Sequence, residues 1–236
     1  MSDFAAFVPV VNRPDLLVNV VNATTCLHDD LTIIDNSPDG MVNNIMVPAA
    51  DGKLVRWLPP VKVFRPPVPF LFAQTMNWAL EETLRRGKTL CIHMHNDAII
   101  PDGACEKLLE YAHTVQSTRS RWGVIFTHYD VLCAYNPRVY EAIGGFDLNL
   151  PWYFSDNDYF RRVELAGWDK INSGIEVGHP ASQTINSDSY LRYVNGVTFP
   201  LYREYYRAKW GGDTGQEKFF HPFGILPKEW KLGKIS

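Results

Sequence analysis

The start of the chain constrains it most: Phe4 to Val11 is an unbroken apolar run, short and rich in valine. A run of that length reads as a strand buried on both faces. Asn12-Arg13-Pro14-Asp15 then turns the chain, and Pro14 suits the first turn of a helix, where its missing N–H has no partner to lose. Leu16, Leu17, Val20 and Val21 recur at helical spacing. Leu31 to Ile34 is a second short strand, stopped by the turn formers Asp35-Asn36-Ser37-Pro38-Asp39-Gly40. Strand, helix and strand in this order imply a right-handed parallel crossover. The expected class is therefore α/β, with a mostly parallel central sheet flanked by helices.

The pattern continues along the chain. Met46 to Pro69 is proline-rich and irregular, with short strands at Lys53 to Leu58 and Val61 to Phe64. A helix is expected from Phe72 to Arg86, stopped by Gly87, and a strand from Thr89 to Met94 leads into His95-Asn96-Asp97. Asp102 to Thr114 reads as a helix capped by Asp102. Trp122 to Thr127 and Val131 to Tyr135 read as strands, Asn157 to Ala166 as a helix ended by Gly167, and Lys170 to Val177 as a late strand. The tail from Ser187 carries Tyr202, Tyr205, Tyr206, Trp210, Phe219 and Phe220, and reads as an appended helix and wrap rather than a second domain.

At 236 residues the chain can bury a real core, and its length fits one domain better than two. A net charge of −3, with no run of five like charges, argues against affinity built on the phosphates of a long duplex. The four cysteines, Cys26, Cys91, Cys105 and Cys133, have no paired spacing, which suits a reducing, cytoplasmic compartment. The N-terminus does not read as a signal peptide. No stretch approaches the roughly 18 apolar residues of a membrane span.

In open parallel sheets, ligands collect beyond the carboxyl ends of the strands. Three polar clusters fall there: Asp35-Asn36, Asn96-Asp97 and Asp156 to Asp158. Any one of them alone is ordinary turn chemistry. Together with their flanks they resemble family 2 glycosyltransferases, which have the GT-A fold. The resemblance is carried by Phe7-Val8-Pro9-Val10-Val11-Asn12-Arg13-Pro14, by Ile33-Ile34-Asp35-Asn36-Ser37-Pro38-Asp39-Gly40, and by Asn77. Further on it is carried by Ile92-His93-Met94-His95-Asn96-Asp97, by Ile143-Gly144-Gly145-Phe146-Asp147, and by Phe154-Ser155-Asp156-Asn157-Asp158-Tyr159-Phe160-Arg161-Arg162 with Gly167. It spans about Phe4 to His179. It implies a catalytic domain over 1–180, with a nucleotide-sugar half to about 100 and an acceptor half from about 101, and an extension over 181–236 packed on the same domain.

The resemblance implies donor-binding roles for Pro9, Asn12, Asp35, Asn77, Asn96 and Gly145. Asp35 would take the base or ribose, since a carboxylate accepts hydrogen bonds from ribose hydroxyls or an imide N–H; the alternative is a turn or cap. Asp97 would ligate Mn²⁺ or Mg²⁺ bridging a diphosphate, with His179 completing the site. His95 stands where the first aspartate of the metal motif often lies; it either ligates, favouring Mn²⁺, or supports the ligands and contacts the sugar. Asp156 is the expected general base of an inverting transfer, taking the acceptor hydroxyl's proton. Ser155 replaces the usual acidic neighbour. Asp158 and Trp210 are acceptor-side candidates, against the plainer readings of Asp158 as a helix cap and of the tail's aromatics as seals on the core's edge.

The expected partners are a nucleoside-diphosphate sugar, a uridine diphosphate sugar by base rate, and a glycan or other hydroxyl acceptor. A modified DNA base is disfavoured by the scattered basic residues. Two other readings stand beside this one. A nucleotidyltransferase would carry a glycine-rich basic loop after the first strand, which Asn12-Arg13-Pro14 is not. A non-catalytic nucleotide-sugar-binding relative is kept in play by His95 and Ser155.

Overall fold

Strand β1 (Phe4–Val10) is buried on both sides because its two sets of side chains serve two cores. Phe4, Ala6, Val8 and Val10 face one layer, while Ala5 and Phe7 face the other, the period-two alternation of a pleated strand. Helix α1 (Pro14–Ala23) follows, with Pro14 in its first turn, and returns the chain to β2 (Leu31–Asp35), which pairs parallel to β1. The computed structural model describes residues 2–57, 59–180 and 182–225.

The proline-rich stretch holds a small antiparallel pair, β3 (Met46–Pro48) and β4 (Leu54–Arg56), and then β5 (Lys62–Phe64), which joins the main sheet beside β2. Leu58, the expected end of the strand from Lys53, lies outside the described residues. Helix α2 (Phe72–Arg85), β6 (Leu90–Met94), α3 (Ala104–Thr118) and the hairpin of β7 (Trp122–Thr127) and β8 (Tyr129–Tyr135) continue the chain. Then come α4 (Pro137–Ile143), α5 (Ser155–Leu165), β9 (Asp169–Asn172), the short α6 (Gln183–Asn186) and the long α7 (Ser189–Trp210).

The seven-stranded sheet has the order β5-β2-β1-β6-β8-β7-β9. Only β8 runs against its neighbours, β6 and β7. Helices α1 and α3 cover one face, through Leu17, Val20, Val21, Leu108 and Val115. Helices α2, α4 and α5 cover the other, through Met76, Leu80, Val139, Tyr159 and Val163. The carboxyl ends of β1, β2, β6, β7 and β9 therefore share one rim with the start of β8.

Several boundaries differ from the sequence reading, each for a local reason. Asp102 does not cap α3; Gly103 takes the cap position at φ 74°, a left-handed conformation that suits glycine. The helix also runs past Thr114 to Thr118, because Val115 continues its buried stripe. Helix α5 starts at Ser155, so Asp158 lies inside its first turn and is not its cap. Strand β9 stops at Asn172, whose side chain accepts from the Gly174 N–H at 2.9 Å in a tight turn, and 173–177 are irregular.

Candidate active site

The rim gathers its polar residues from five connections. After β6, His95 donates its backbone N–H to the Val131 carbonyl at 2.9 Å, extending the β6–β8 ladder by one step. That ladder brings the first residues of β8 against the end of β6, and Asp130 Oδ2 stands 3.3 Å from His95 Nε2. Asp97, buried, has His95 Nδ1 at 3.9 Å and His179 Nε2 at 3.3 Å from the same carboxylate oxygen. His179 reaches it from the irregular strand after β9, which is pinned by paired bonds of 2.8 Å between Gly178 and Ile99. Ligating atoms of His95, Asp97 and His179 all lie within 4.8 Å of one another.

Charge binds these groups together. Burial opposes the protonated form of His95, but Asp130, through charge and a hydrogen bond, with Asp97 and Asp156, outweighs it and raises the imidazole above its ordinary value. Burial would lift Asp130, yet the charge of His95 and its hydrogen bond hold that carboxyl down at about 2. Burial likewise works against Asp97 as a carboxylate, and the hydrogen bond from His179 and the charges of both histidines more than offset it. His93, facing the other layer of the core, is pushed down to about 3, mainly by burial and then by the charge of His95.

Asp156 stands in the first turn of α5, where the N–H groups of Asn157 and of Asp156 itself favour its charged form. Burial, reinforced by the negative charge of Asp130, overrides them and raises the carboxyl to about 7. A group so placed is near-neutral in its proton affinity, the condition that general base catalysis requires. Ser155 beside it is fully buried, and its hydroxyl has no hydrogen-bond partner among the described residues.

The remaining residues singled out from the sequence divide into two sets. Asn12 and Asn96 lie at the rim, joined by a bond from Asn96 Nδ2 to the Asn12 carbonyl at 3.3 Å. Pro9 lies in β1 opposite Ile34. Asp35 closes its own loop: one oxygen accepts from the Ser37 N–H at 3.1 Å and hydroxyl at 2.5 Å, the other from the Val42 N–H at 3.2 Å. It is 1% exposed, so a nucleoside could meet it only by opening that loop.

Asn77 clamps the backbone of Phe146, accepting from its N–H at 2.6 Å and donating to its carbonyl at 3.0 Å. A Cβ at Gly145 would collide with the Asn77 carboxamide, which explains the glycine by packing alone. Asp158 is wholly buried between Arg162 at 2.9 Å, Lys209 at 2.6 Å and the Trp210 indole N–H at 2.9 Å. Trp210 is buried too. The pair ties α7 to α5 inside the protein and presents no surface to an acceptor.

Asp130, Arg13, Gln183 and Thr184 were not singled out from the sequence. Asp130 was legible in principle: the expected strands Trp122 to Thr127 and Val131 to Tyr135 are separated by three residues, a hairpin spacing, which sets the start of β8 against the residue after β6. Arg13 sits at φ 60°, feels the charge of Asp97, and donates to Gln183 Oε1 at 3.3 Å.

No protein-family model matches the chain, and no curated protein matches it in sequence. Solved structures do. S. aureus TarS, residues 1–349, superposes with a TM-score of 0.51 at 14% identity, over 73% of this chain and 58% of that one. The glucosyl-3-phosphoglycerate synthase of Mycobacterium tuberculosis, in complex with Mn²⁺, UDP-glucose and phosphoglyceric acid, superposes with a TM-score of 0.51 at 12% identity, over 84% of this chain and 79% of that one. The same enzyme with Mn²⁺ and UDP-glucose gives 0.51 at 11% identity, over 83% of this chain and 78% of that one. The chain thus has the GT-A fold of nucleotide-sugar transferases, with a histidine- and aspartate-lined rim at the strand ends. Among the described residues, no helix is long and apolar enough to cross a membrane.

Proposed function

We propose that the protein is an inverting glycosyltransferase that moves a sugar from a nucleoside-diphosphate donor to an acceptor hydroxyl. The observation that carries this reading is the convergence of His95, Asp97 and His179 on one rim that also holds a carboxyl, Asp156, raised to about 7. Two imidazoles and one carboxylate fit a divalent cation, and this donor set favours Mn²⁺ over Mg²⁺. Ligand atoms within 4.8 Å of one another are close enough that His95, Asp97 and His179 would hold one divalent cation between them. When bound, the cation supplies positive charge against the departing diphosphate.

The chain's own residues supply the rest. Asp156, as carboxylate, accepts the acceptor's hydroxyl proton while that oxygen attacks the anomeric carbon. The new C–O bond forms as the bond to the diphosphate oxygen breaks, and the nucleoside diphosphate leaves. Asp130, 3.3 Å from His95 Nε2, supplies a counter-charge to the His95 ring on the side away from the nitrogen that faces Asp97. The bound UDP-glucose and Mn²⁺ of the M. tuberculosis synthase are consistent with such a donor, and a UDP-sugar is the first to try.

Incubation with a panel of nucleotide sugars and Mn²⁺, following nucleoside diphosphate release, tests the reading. Slow donor hydrolysis is expected, abolished by Asp97→Ala and by Asp156→Asn. Tight donor binding with no release under any condition would instead make the protein a binding relative.

A further inference from the structure

Five polar contacts lay residues 182–186 across the rim, and four of them engage residues of the candidate donor site. Asn12 Nδ2 donates to the Thr184 carbonyl at 3.0 Å, and Arg13 Nη1 donates to Gln183 Oε1 at 3.3 Å. The Gln183 N–H donates to Asp97 Oδ2 at 3.2 Å, and Thr184 Oγ1 donates to Asn96 Oδ1 at 3.3 Å. The fifth joins the Tyr153 and Ser182 hydroxyls at 3.2 Å.

The chemistry of these contacts is informative. Toward Asn12 and Arg13 the segment offers oxygens, which are what a phosphate would offer. Toward Asp97 it offers an N–H, a weak stand-in for a cation. Asn12 Oδ1 is buried with no hydrogen-bond partner among the described residues, an acceptor left open to a hydroxyl of the donor beside the phosphate seat. Ser182, where the segment begins, takes a left-handed conformation at φ 57°, an uncommon state for a residue other than glycine.

Resting on the glycosyltransferase reading, we propose that residues 182–186 are an internal strap that fills the diphosphate seat. Arg13 and Asn12 then take the phosphate oxygens of the donor once the strap is displaced. The strap acts as an intramolecular competitor. A donor binds only the fraction of molecules whose strap is open, and its apparent affinity falls by that fraction. Displacement exchanges the neutral Gln183 Oε1 on Arg13 Nη1 for an anionic oxygen, a stronger hydrogen bond, while Nε and Nη2 stay on the Asp15 carboxylate.

The test is calorimetric binding of UDP with Mn²⁺ to the wild-type protein and to a Tyr153→Phe, Gln183→Ala, Thr184→Val triple variant, with hydrogen exchange read on the wild type. The variant removes three strap contacts and leaves Arg13 and Asn12 in place. Its affinity for UDP should tighten about tenfold, the factor expected if the strap is open in about a tenth of molecules. Arg13→Gln should weaken binding. In the wild type, UDP with Mn²⁺ should speed amide exchange across 182–187.

Equal UDP affinity in wild type and triple variant, or slower exchange across 182–187 on binding, would overturn the strap while leaving the glycosyltransferase reading intact. Slower exchange would mean that the segment closes over the donor. Failure of both proteins to bind any nucleoside diphosphate would overturn both readings. The exchange measurement needs no substitution, so it decides the matter even if the triple variant does not fold.

Discussion

Replacing Asp156 with asparagine should stop the reaction and, above neutral pH, stabilise the protein. The carboxyl is moved from 3.8 to about 7, chiefly by burial and then by the charge of Asp130. A folded-state value above the unfolded one means that the neutral acid fits the fold and the carboxylate does not. The stability this group contributes is fully present below the unfolded value and is lost as pH rises through about 7. Between pH 4.5 and pH 8 the loss integrates to about 3 kcal/mol for an isolated group. Asp130 shares the titration, so the part that belongs to Asp156 is on the order of 1–2 kcal/mol. Asparagine keeps the shape and cannot ionise. The variant's melting temperature relative to wild type should therefore be about 3–6 °C higher at pH 8 than at pH 4.5. The melts belong in chelator, because a bound cation would lower the carboxyl's value and hide the effect. A variant whose offset from wild type is the same at both pH values would refute the claim that the carboxyl is strained when charged.

Other consequences of the same site can be checked separately. Asp97→Ala and His179→Ala should each weaken Mn²⁺ binding by about tenfold or more, read as loss of the metal-induced rise in melting temperature; unchanged metal response would remove them as ligands. With donor saturating, sugar transfer should fall on the acid side with a midpoint no higher than about 7, since the carboxylate form of Asp156 is required and bound cation lowers its value. An acid limb unmoved in Asp156→Glu would assign it elsewhere. Gly145→Ala should cost about 1–3 kcal/mol by driving a methyl into the Asn77 carboxamide, measured by urea unfolding, and Asn77→Ala in the same chain should recover part of that loss.

The fold was legible because β1, α1 and β2 each carry an unambiguous pattern, and the parallel crossover follows from their order. The rim was legible for a related reason: Asn12, Asn96 and Asp97 follow strand ends directly, so strand direction alone places them. What depended on side-chain partners was not legible. Asp35, Asn77 and Asp158 have the residue types of a ligand site, but each is engaged by neighbours in the fold, and Asp158 and Asn77 meet theirs across long stretches of chain. A buried carboxylate that meets Lys209 and Trp210 looks the same in sequence as one that meets a sugar. The stretch from Ser173 to His179 and the short helix α6 were hardest, because no clear periodicity marks them, yet they deliver His179 and the 182–186 contacts to the rim.

Helix α5 joins these two kinds of residue, and this makes the C-terminal helix relevant to the chemistry. Asp156 and Asp158 share the first turn of α5, two residues apart on different faces. Asp158 anchors that turn to α7 through Lys209 and Trp210, and to the Ile143–Gly145 loop through Arg162, which donates to the carbonyls of Ile143 at 3.1 Å and Gly145 at 2.6 Å. Removing Asp158 as alanine leaves Lys209 and Arg162 buried with fewer partners, and such a loss costs about 3–5 kcal/mol. Asparagine at 158 keeps the indole's acceptor, and Lys209 keeps Asp147 at 2.7 Å, so it should cost less than half as much. If α7 aims Asp156 through this anchor, Asp158→Asn should lower kcat while leaving the KM for donor near its wild-type value, because the metal and donor residues lie on other elements. A rise in KM with kcat unchanged would show that the anchor serves the donor side instead.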